Sequence, residues 1–190
     1  MTDSPTPDSS PEPILTLEPL LEAVKEGLER AGWELSGLQK TTSYDFEGRW
    51  AGESSRSAYL FFHGDETAGD ASIDVFLDET SRGLKGNLAL VLDGADLGLL
   101  GETREVLRVL AELGREALPA EYRTPLTLRY RLGKMEAEVE EARTEFRFKI
   151  YLPRRAMEAG HATVADLAVT AAGAFGMILE SPSLEGLLED

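Results

Sequence analysis

The residues of this chain best suited to catalysis or metal binding are its two histidines, His63 and His161. His63 is followed by Asp65, Glu66 and Asp70, and nitrogen and carboxylate ligands in one turn could hold a metal ion for an enzyme. The same run is also typical of an acid-rich turn exposed to water, and we favour that interpretation because no second histidine lies nearby. We therefore predict no metal and no cofactor.

No other catalytic pattern is recognisable along the chain. There is no cysteine, which excludes a thiolate nucleophile and a cysteine-bound zinc ion. Ser54, Ser55 and Ser57 lack the flanking glycines of a nucleophile elbow. Asp93 and Asp96 lack the regular ligand spacing of a calcium-binding loop, and no glycine run leads to the lysine of a phosphate loop. We expect a protein that is not an enzyme.

Charge and composition restrict the partners. The chain has 19 basic and 35 acidic residues, a net charge of −16, which predicts no direct binding to nucleic acid and no attachment to an anionic membrane. The N-terminus lacks the basic and apolar regions of a secretory signal, so we expect a cytoplasmic protein. Residues 1–13 are rich in proline and predict a disordered tail, followed by a single domain over residues 14–190.

Residues 123–155 have a net positive charge within this acidic chain, with nine basic and five acidic residues. Four of these basic residues fall on the outward side of two predicted strands: Arg129, Arg131, Arg147 and Lys149. Such a face could pair its charges with acids across the strands. Alternatively, it could bind an acidic partner protein.

Apolar side chains that alternate with polar ones predict the strands. The centre of the sheet is expected at residues 57–92, as a run of three strands with turn residues between them. An earlier strand is predicted at residues 42–50. Residues 126–132 and 145–152 alternate most regularly and predict a hairpin, while residues 134–141 between them could be strand or a short polar helix.

Three amphipathic or apolar stretches predict helices at residues 16–31, 102–118 and 163–180. Thr163 and Asp166 are spaced as a capping box at the start of the last one. The order of elements is therefore α-β-β-β(-β)-α-β-β-α. We predict an α+β fold in which helices flank an antiparallel sheet.

The last helix has a single charged residue, Asp166, between Ala162 and Leu179. A membrane span is one interpretation, but alanine, glycine and threonine predominate, so we favour a helix buried on more than one side. A second subunit would then cover one side, which predicts a homodimer. The candidate dimer residues are Val164, Leu167, Ala172, Gly173, Phe175 and Gly176.

A small-ligand module is the main alternative to a protein-binding function. It would require an apolar cleft between helix and sheet with a few converging polar groups. Trp33, Trp50 and Tyr130 are the candidate residues for such a cleft.

The order of elements and four local patterns resemble the YbjN-like family, which shares its α+β fold with the small dimeric chaperones of type III secretion. The resemblance covers residues 16–188. It depends on the helix that ends at Ala-Gly-Trp in 31–33 and on the strand Ala-Ser-Ile-Asp-Val in 71–75. It also depends on Phe-Lys-Ile-Tyr-Leu in 148–152 and Ala-Thr-Val-Ala-Asp-Leu in 162–167, where a strand leads to an apolar helix.

The resemblance implies a non-enzymatic, dimeric adaptor or chaperone-like protein that binds another protein. Asn87 and Gln39 are the only residues of their types, and arginine outnumbers lysine, which is typical of a high-GC bacterial source. The chain thereby resembles deinococcal members of the family. For these the resemblance implies a single-strand DNA-binding protein as partner and a role in the DNA damage response, a function that fold alone does not establish.

Overall fold

The computed structural model describes residues 12–46, 50–64, 71–93, 103–120, 127–131 and 143–184. Most of the predicted tail and the ambiguous stretch 134–141 lie outside these residues. The described strands form one antiparallel sheet of six strands in the order β1-β2-β3-β4-β6-β5. Their bounds are β1 Glu34–Phe46, β2 Trp50–His63, β3 Ser72–Thr80, β4 Gly83–Asp93, β5 Thr127–Arg131 and β6 Arg143–Tyr151.

The helices are α1 Leu17–Arg30, α2 Thr103–Ala117, α3 Arg154–Glu158 and α4 His161–Leu179. The apolar sides of the helices and alternate residues of the strands form one core. The four described helices therefore pack on the same face of the sheet. The predicted α+β class, the antiparallel sheet and the order of the main elements are confirmed. The short helix α3 was not predicted, because five residues are too few to show a helical period.

Alternation along the inner strands determines which side of the sheet meets the helices. The buried positions on the helix side include Ala58, Leu60, Phe62, Ile73, Val75, Leu77, Leu88, Leu90, Leu92, Phe146, Phe148 and Ile150. Successive side chains of a strand project to opposite faces, so the residues between these positions form the opposite face.

The predicted strand at residues 42–50 was wrong in its bounds. Phe46 and Trp50 are register partners in the β1–β2 hairpin, so the chain reverses between them. β1 begins at Glu34, where the described positions are mostly exposed on both sides. A strand at the edge of the sheet without a buried face has no alternation by which the sequence reveals it.

Helix α1 ends where its sequence predicts. Gly32 adopts a left-handed conformation with φ of +87°. The amide of Trp33 donates to the carbonyl of Leu28 at 3.0 Å, and that of Gly32 donates to Glu29 at 3.0 Å. These two bonds are those of a Schellman motif, which satisfies the last carbonyls of a helix and requires a residue tolerant of positive φ.

The first turn of α1 is held to the sheet by a carboxylate. The amide of Leu17 donates to Oε2 of Glu79 at 2.6 Å. The same carboxylate accepts two bonds from the guanidinium of Arg56, at 2.7 and 2.8 Å. The hydrogen bonds from Arg56, and then the backbone bond from Leu17, keep the pKa of Glu79 below its usual value.

Helix α4 begins at His161, after Gly160 with φ of +94°. The predicted capping box is therefore wrong, because Thr163 already lies in the first turn. Its hydroxyl donates back to the carbonyl of Ala159 at 3.5 Å. Asp166 instead accepts a bond from Arg30 of α1 at 3.1 Å.

Helices α1 and α4 approach closely because their contact is built from small residues. A Cβ atom on Gly27 would lie 2.7 Å from Cβ of Ala168 and would also overlap the carbonyl oxygen of Ala165. Only glycine at this position allows the two backbones to lie so near each other.

Candidate protein-binding face of the sheet

The side of the sheet that faces away from the four described helices presents both aromatic and charged groups. We call it the open face. The exposed fractions of Tyr59, Phe61 and Tyr151 on this side are 38%, 39% and 56%. The residues that line its central groove are Tyr59, Phe61, Asp74, Val75, Phe76, Asn87, Glu145, Arg147 and Lys149.

The strand register aligns the aromatic groups in one row across four strands. Tyr59 pairs with Phe76, Phe76 with Asn87, and Asn87 with Tyr151. The ring centroids of Tyr59 and Phe76 lie 4.9 Å apart at an interplanar angle of 42°, within the range of attractive aromatic pairs. Phe61 lies beside this row and covers Gly37, where a Cβ would lie 3.2 Å from the ring.

Sequence reasoning missed these aromatic residues as functional candidates. The signal was present, because Tyr59 and Phe61 alternate with the core residues Leu60 and Phe62 in the run Tyr-Leu-Phe-Phe. A strand with apolar side chains on both faces is normally buried on both. Here the second face has no described element over it.

Within the predicted basic face, Arg147 is held between two acidic residues. Its guanidinium lies 2.9 Å from Oδ2 of Asp74 and 3.0 Å from Oε2 of Glu145, and its side chain is only 13% exposed. In the register of β4, Asp74 is paired with Ala89 and Arg147 with Val91, so the ion pair crosses β4 diagonally. Arg147 thus follows the interpretation in which charges pair across strands.

The other three predicted cations lie on the same two neighbouring strands. Lys149 of β6 lines the groove beside the aromatic row. In β5 the register pairs Arg129 with Glu145, and Arg131 with Arg143. The side chains of Arg129 and Arg131 fall outside the part of the chain that is described in atomic detail, so their role in binding stays a prediction.

The predicted ligand cleft between helix and sheet is wrong at Trp33. This side chain is 7% exposed and belongs to the apolar core, because the Schellman motif turns it back onto α1. The groove on the open face lies on the opposite side of the sheet. The side chains of Trp50 and Tyr130 lie outside the described residues.

Neither histidine is among the residues that line this groove. His63 is exposed at the end of β2, and Asp65, Glu66 and Asp70 are outside the described residues. His161 Nε2 lies 2.7 Å from Oε2 of Glu26 on α1. Within the described ranges, no three histidine, aspartate or glutamate side chains come together as a metal site.

The predicted dimer residues of α4 divide into two groups. Val164, Leu167, Ala172 and Phe175 are buried in the core of their own subunit and so cannot contact a second one. The prediction fails for these four, because the core of their own subunit already covers them. Gly173 and Gly176 lie on the outer side, with nothing within 4 Å of the position of a Cβ.

The outer side of α4 exposes polar residues over its first two thirds, at His161, Thr163, Asp166 and Thr170, and Gly173 and Met177 further along. Met177 is 62% exposed beside Gly173 and Thr170. The helix meets the length and composition of a membrane span, yet half of its most apolar window is buried within the fold. Core helices of soluble proteins have the same properties.

Comparisons with protein-family models, with curated proteins and with solved structures give no match. The resemblance to the YbjN-like family therefore stays a prediction.

Proposed function

We propose that this protein is a non-enzymatic adaptor that binds another protein through the open face of its sheet. The observation that carries the proposal is the group of exposed rings around the Asp74–Arg147 pair, at Tyr59, Phe61 and Tyr151. Aromatic side chains are enriched among the residues that contribute most to binding energy. They bury a large area and lose little rotamer entropy on binding.

The polar groups of the groove suit specific recognition. Asp74 and Arg147 are already paired, so a partner that covers them does not meet an isolated charge. Asn87, in the middle of the aromatic row, offers both donor and acceptor groups to a partner backbone. Binding energy would come from the rings, and orientation from these polar groups.

We further propose that two copies associate through the outer side of α4. Gly173 and Gly176 leave room for the backbone of a second helix, and Met177 supplies apolar area beside them. A two-fold symmetric contact of this kind is self-complementary. A dimer would present two open faces to one partner and gain avidity from their linkage.

The partner class that the YbjN-like resemblance implies is a single-strand DNA-binding protein of the cytoplasm, with a role in the DNA damage response. The net charge of −16 makes direct binding to DNA unfavourable, so contact with nucleic acid would pass through that partner.

The experiment is capture of partners from a bacterial lysate, followed by calorimetry with each purified partner. Phe61→Ser and Tyr151→Ser should each weaken binding about tenfold or more, the size of a binding hot spot. Leu38→Ser is the matched control, because Leu38 is also exposed but pairs in register with the core residue Leu60 on the other face. Unchanged affinity in both groove variants would contradict the proposal.

A small-molecule ligand is the second candidate, and the size of the groove favours it. Its volume is about 560 Å³, within the range of ligand pockets. A thermal-shift screen with metabolites distinguishes the two functions, because a ligand that binds the folded state raises Tm.

A further inference from the structure

We propose that the open face binds a proline-rich segment of the partner protein in the polyproline conformation. Two prolines of that segment, three residues apart, stack on Phe76 and Tyr151, and Asn87 bonds to the backbone between them. This inference rests on the proposed use of the open face as a binding surface. It names the chemical class of segment that the face takes.

Asn87 is a polar residue in the middle of the aromatic row. It is half-buried, and its register partners on the two neighbouring strands are Phe76 and Tyr151. Within the described ranges, no residue forms a hydrogen bond with its side chain. The carboxamide offers two N–H donors and one acceptor oxygen. Because a polar group that is buried without a hydrogen bond costs binding energy, a segment that covers Asn87 has to supply a bonding group there.

The two rings beside Asn87 are spaced for the polyproline conformation. Phe76 on β3 and Tyr151 on β6 lie on either side of β4, two strand spacings apart, or about 9.6 Å. A polyproline helix has three residues per turn at ~3.1 Å each, so residues on the same side lie about 9.3 Å apart. In an extended β segment, residues on the same side lie about 6.6 Å apart, which does not match. A polyproline segment that crosses the strands therefore meets both rings.

The polyproline conformation also leaves free the groups that Asn87 requires. Its backbone forms no internal hydrogen bonds, so a carbonyl between the two prolines can accept from the amide of Asn87. Segments of this kind dock on grooves lined by aromatic side chains, because the preformed conformation loses little entropy on binding. Tyr59 lies against Phe76, with 4.9 Å between the ring centroids, and widens the apolar platform at one end of the row.

The charges beside the aromatic row favour an uncharged segment. Asp74 lies 2.9 Å from Arg147, and Asp78 is the register partner of Lys85. The described charges that line the groove or flank the row comprise three of each sign: Asp74, Asp78, Glu145, Lys85, Arg147 and Lys149. This part of the surface thus has no net charge, although the chain as a whole carries −16. It offers no excess of cations to the phosphates of a nucleic acid, and a proline-rich segment leaves no charge unpaired on it.

The test uses calorimetry on the full-length protein with two matched peptides. Both are capped, uncharged and built from proline and alanine, with proline at every third residue in one and at every fourth in the other. We expect saturable binding of the first peptide and about tenfold weaker binding of the second, because prolines four residues apart do not meet both rings.

Variants of the protein test the residues that carry the inference. Tyr151→Ser should weaken binding of the first peptide about tenfold, the size of a binding hot spot. Asn87→Ala should weaken it about fivefold, the loss of one hydrogen bond, and Asn87→Asp likewise, because it keeps the shape but removes both donors. Leu38→Ser, on the other face, should leave the affinity unchanged. Thermal melts verify that each variant is folded.

Equal affinity for the two peptides, or binding that is unaffected by both Tyr151→Ser and Asn87→Asp, would overturn the inference. So would binding of a single-stranded oligothymidylate that depends on Tyr151 when neither peptide binds, because the rings would then stack on bases. If neither peptide binds while a purified partner still depends on Phe61 and Tyr151, the adaptor function stands and the inference fails. If the first peptide binds through Tyr151 and Asn87 but no purified partner depends on them, the face takes this class of segment and the adaptor function fails instead.

Discussion

Arg147 illustrates how a residue's role depends on its neighbours across the sheet. Its position on an outward strand face was compatible with a charge paired across the strands or with one that binds an acidic partner. In the fold it lies between Asp74 and Glu145, at 2.9 and 3.0 Å, and little of it reaches solvent. A partly buried ion pair of this kind contributes little net stability to the fold. Removal of one partner is nevertheless costly, because it leaves the other charge poorly solvated.

We predict that Asp74→Ala destabilises the protein by about 1–3 kcal/mol, because Arg147 then loses its partner across the strands. Glu112→Ala is the matched control. Glu112 pairs with Arg108 at 2.9 Å on the exposed side of α2, and exposed pairs contribute about 0–1 kcal/mol. Urea denaturation of both variants measures the difference. Equal losses would mean that the pair on the open face is no better shielded from water than the one on α2.

The pKa of Glu79, lowered by Arg56 and Leu17, links stability to pH. A carboxyl group whose pKa is depressed in the folded state contributes stability above its unfolded pKa of about 4.3, and loses it as pH falls through the folded value. We predict that Glu79→Gln lowers stability at neutral pH and that its deficit shrinks below about pH 4.

Urea midpoints of the wild type and Glu79→Gln over a pH series measure this difference. Glu105→Gln is the control, because its pKa is also lowered, by Arg108, but the pair is exposed on α2. A deficit for Glu79→Gln that is the same at every pH would exclude titration of this carboxyl group as its cause.

At the scale of elements, the pairing of α1 with α4 organises the helix layer. Small residues at the crossing let the two helices touch, and most of the α4 residues that the sequence assigned to a partner are buried in the same core. The sheet beneath has one face for this layer and one for binding. Two glycines on these helices therefore have opposite expected responses to substitution.

Gly27→Ala should destabilise the protein by about 1–3 kcal/mol, because its Cβ would overlap Ala168 and the backbone of Ala165. At protein concentrations where the subunits are separate, Gly173→Ala should stabilise the fold by about 0.5–1 kcal/mol, because alanine is the better helix former and nothing within the subunit opposes it. Thermal or urea unfolding of the two variants tests both signs. A loss of stability in Gly173→Ala for the separate subunit would contradict the prediction, whereas a loss that appears only as the concentration rises is expected from the proposed dimer contact.

At the scale of the whole molecule, the two opposite sides of the fold are proposed to bind different molecules. The aromatic open face is proposed for the partner, and the outer side of α4 for the second copy. Met177 and Gly173 lie on the helix side of the sheet, away from Phe61 and Tyr151, so one contact leaves the other accessible.

We predict a homodimer at micromolar concentration that Met177→Glu converts to a monomer with an unchanged circular dichroism spectrum. A buried charge at a symmetric contact is repeated in both copies and is strongly unfavourable. Sedimentation measures the change, with Leu38→Glu as the exposed apolar control. Ala172→Glu is unsuitable, because Ala172 is buried within its own subunit and the charge should unfold the chain. A wild type that sediments as a monomer would remove the main support for the dimeric part of the proposal.

The sequence by itself determined the features that depend on local periodicity. Ile73, Val75 and Leu77 alternate with polar residues, and a strand must place such residues on one face. The apolar stripe of α1 and the glycine that ends it likewise act within a few residues. These local signals were sufficient for the α+β class and the antiparallel sheet.

Only the tertiary structure decided which surfaces meet. An apolar residue such as Phe175 could pack equally well against the rest of its own subunit or against a second one. The hydrophobic effect depends on the apolar area removed from water and not on which surface covers it. Arg147 and Asp74 lie on strands separated by β4, so their pairing depends on the register of two ladders. The same holds for the aromatic row, because Tyr59 and Tyr151 are brought together by strand order and not by their spacing in the chain.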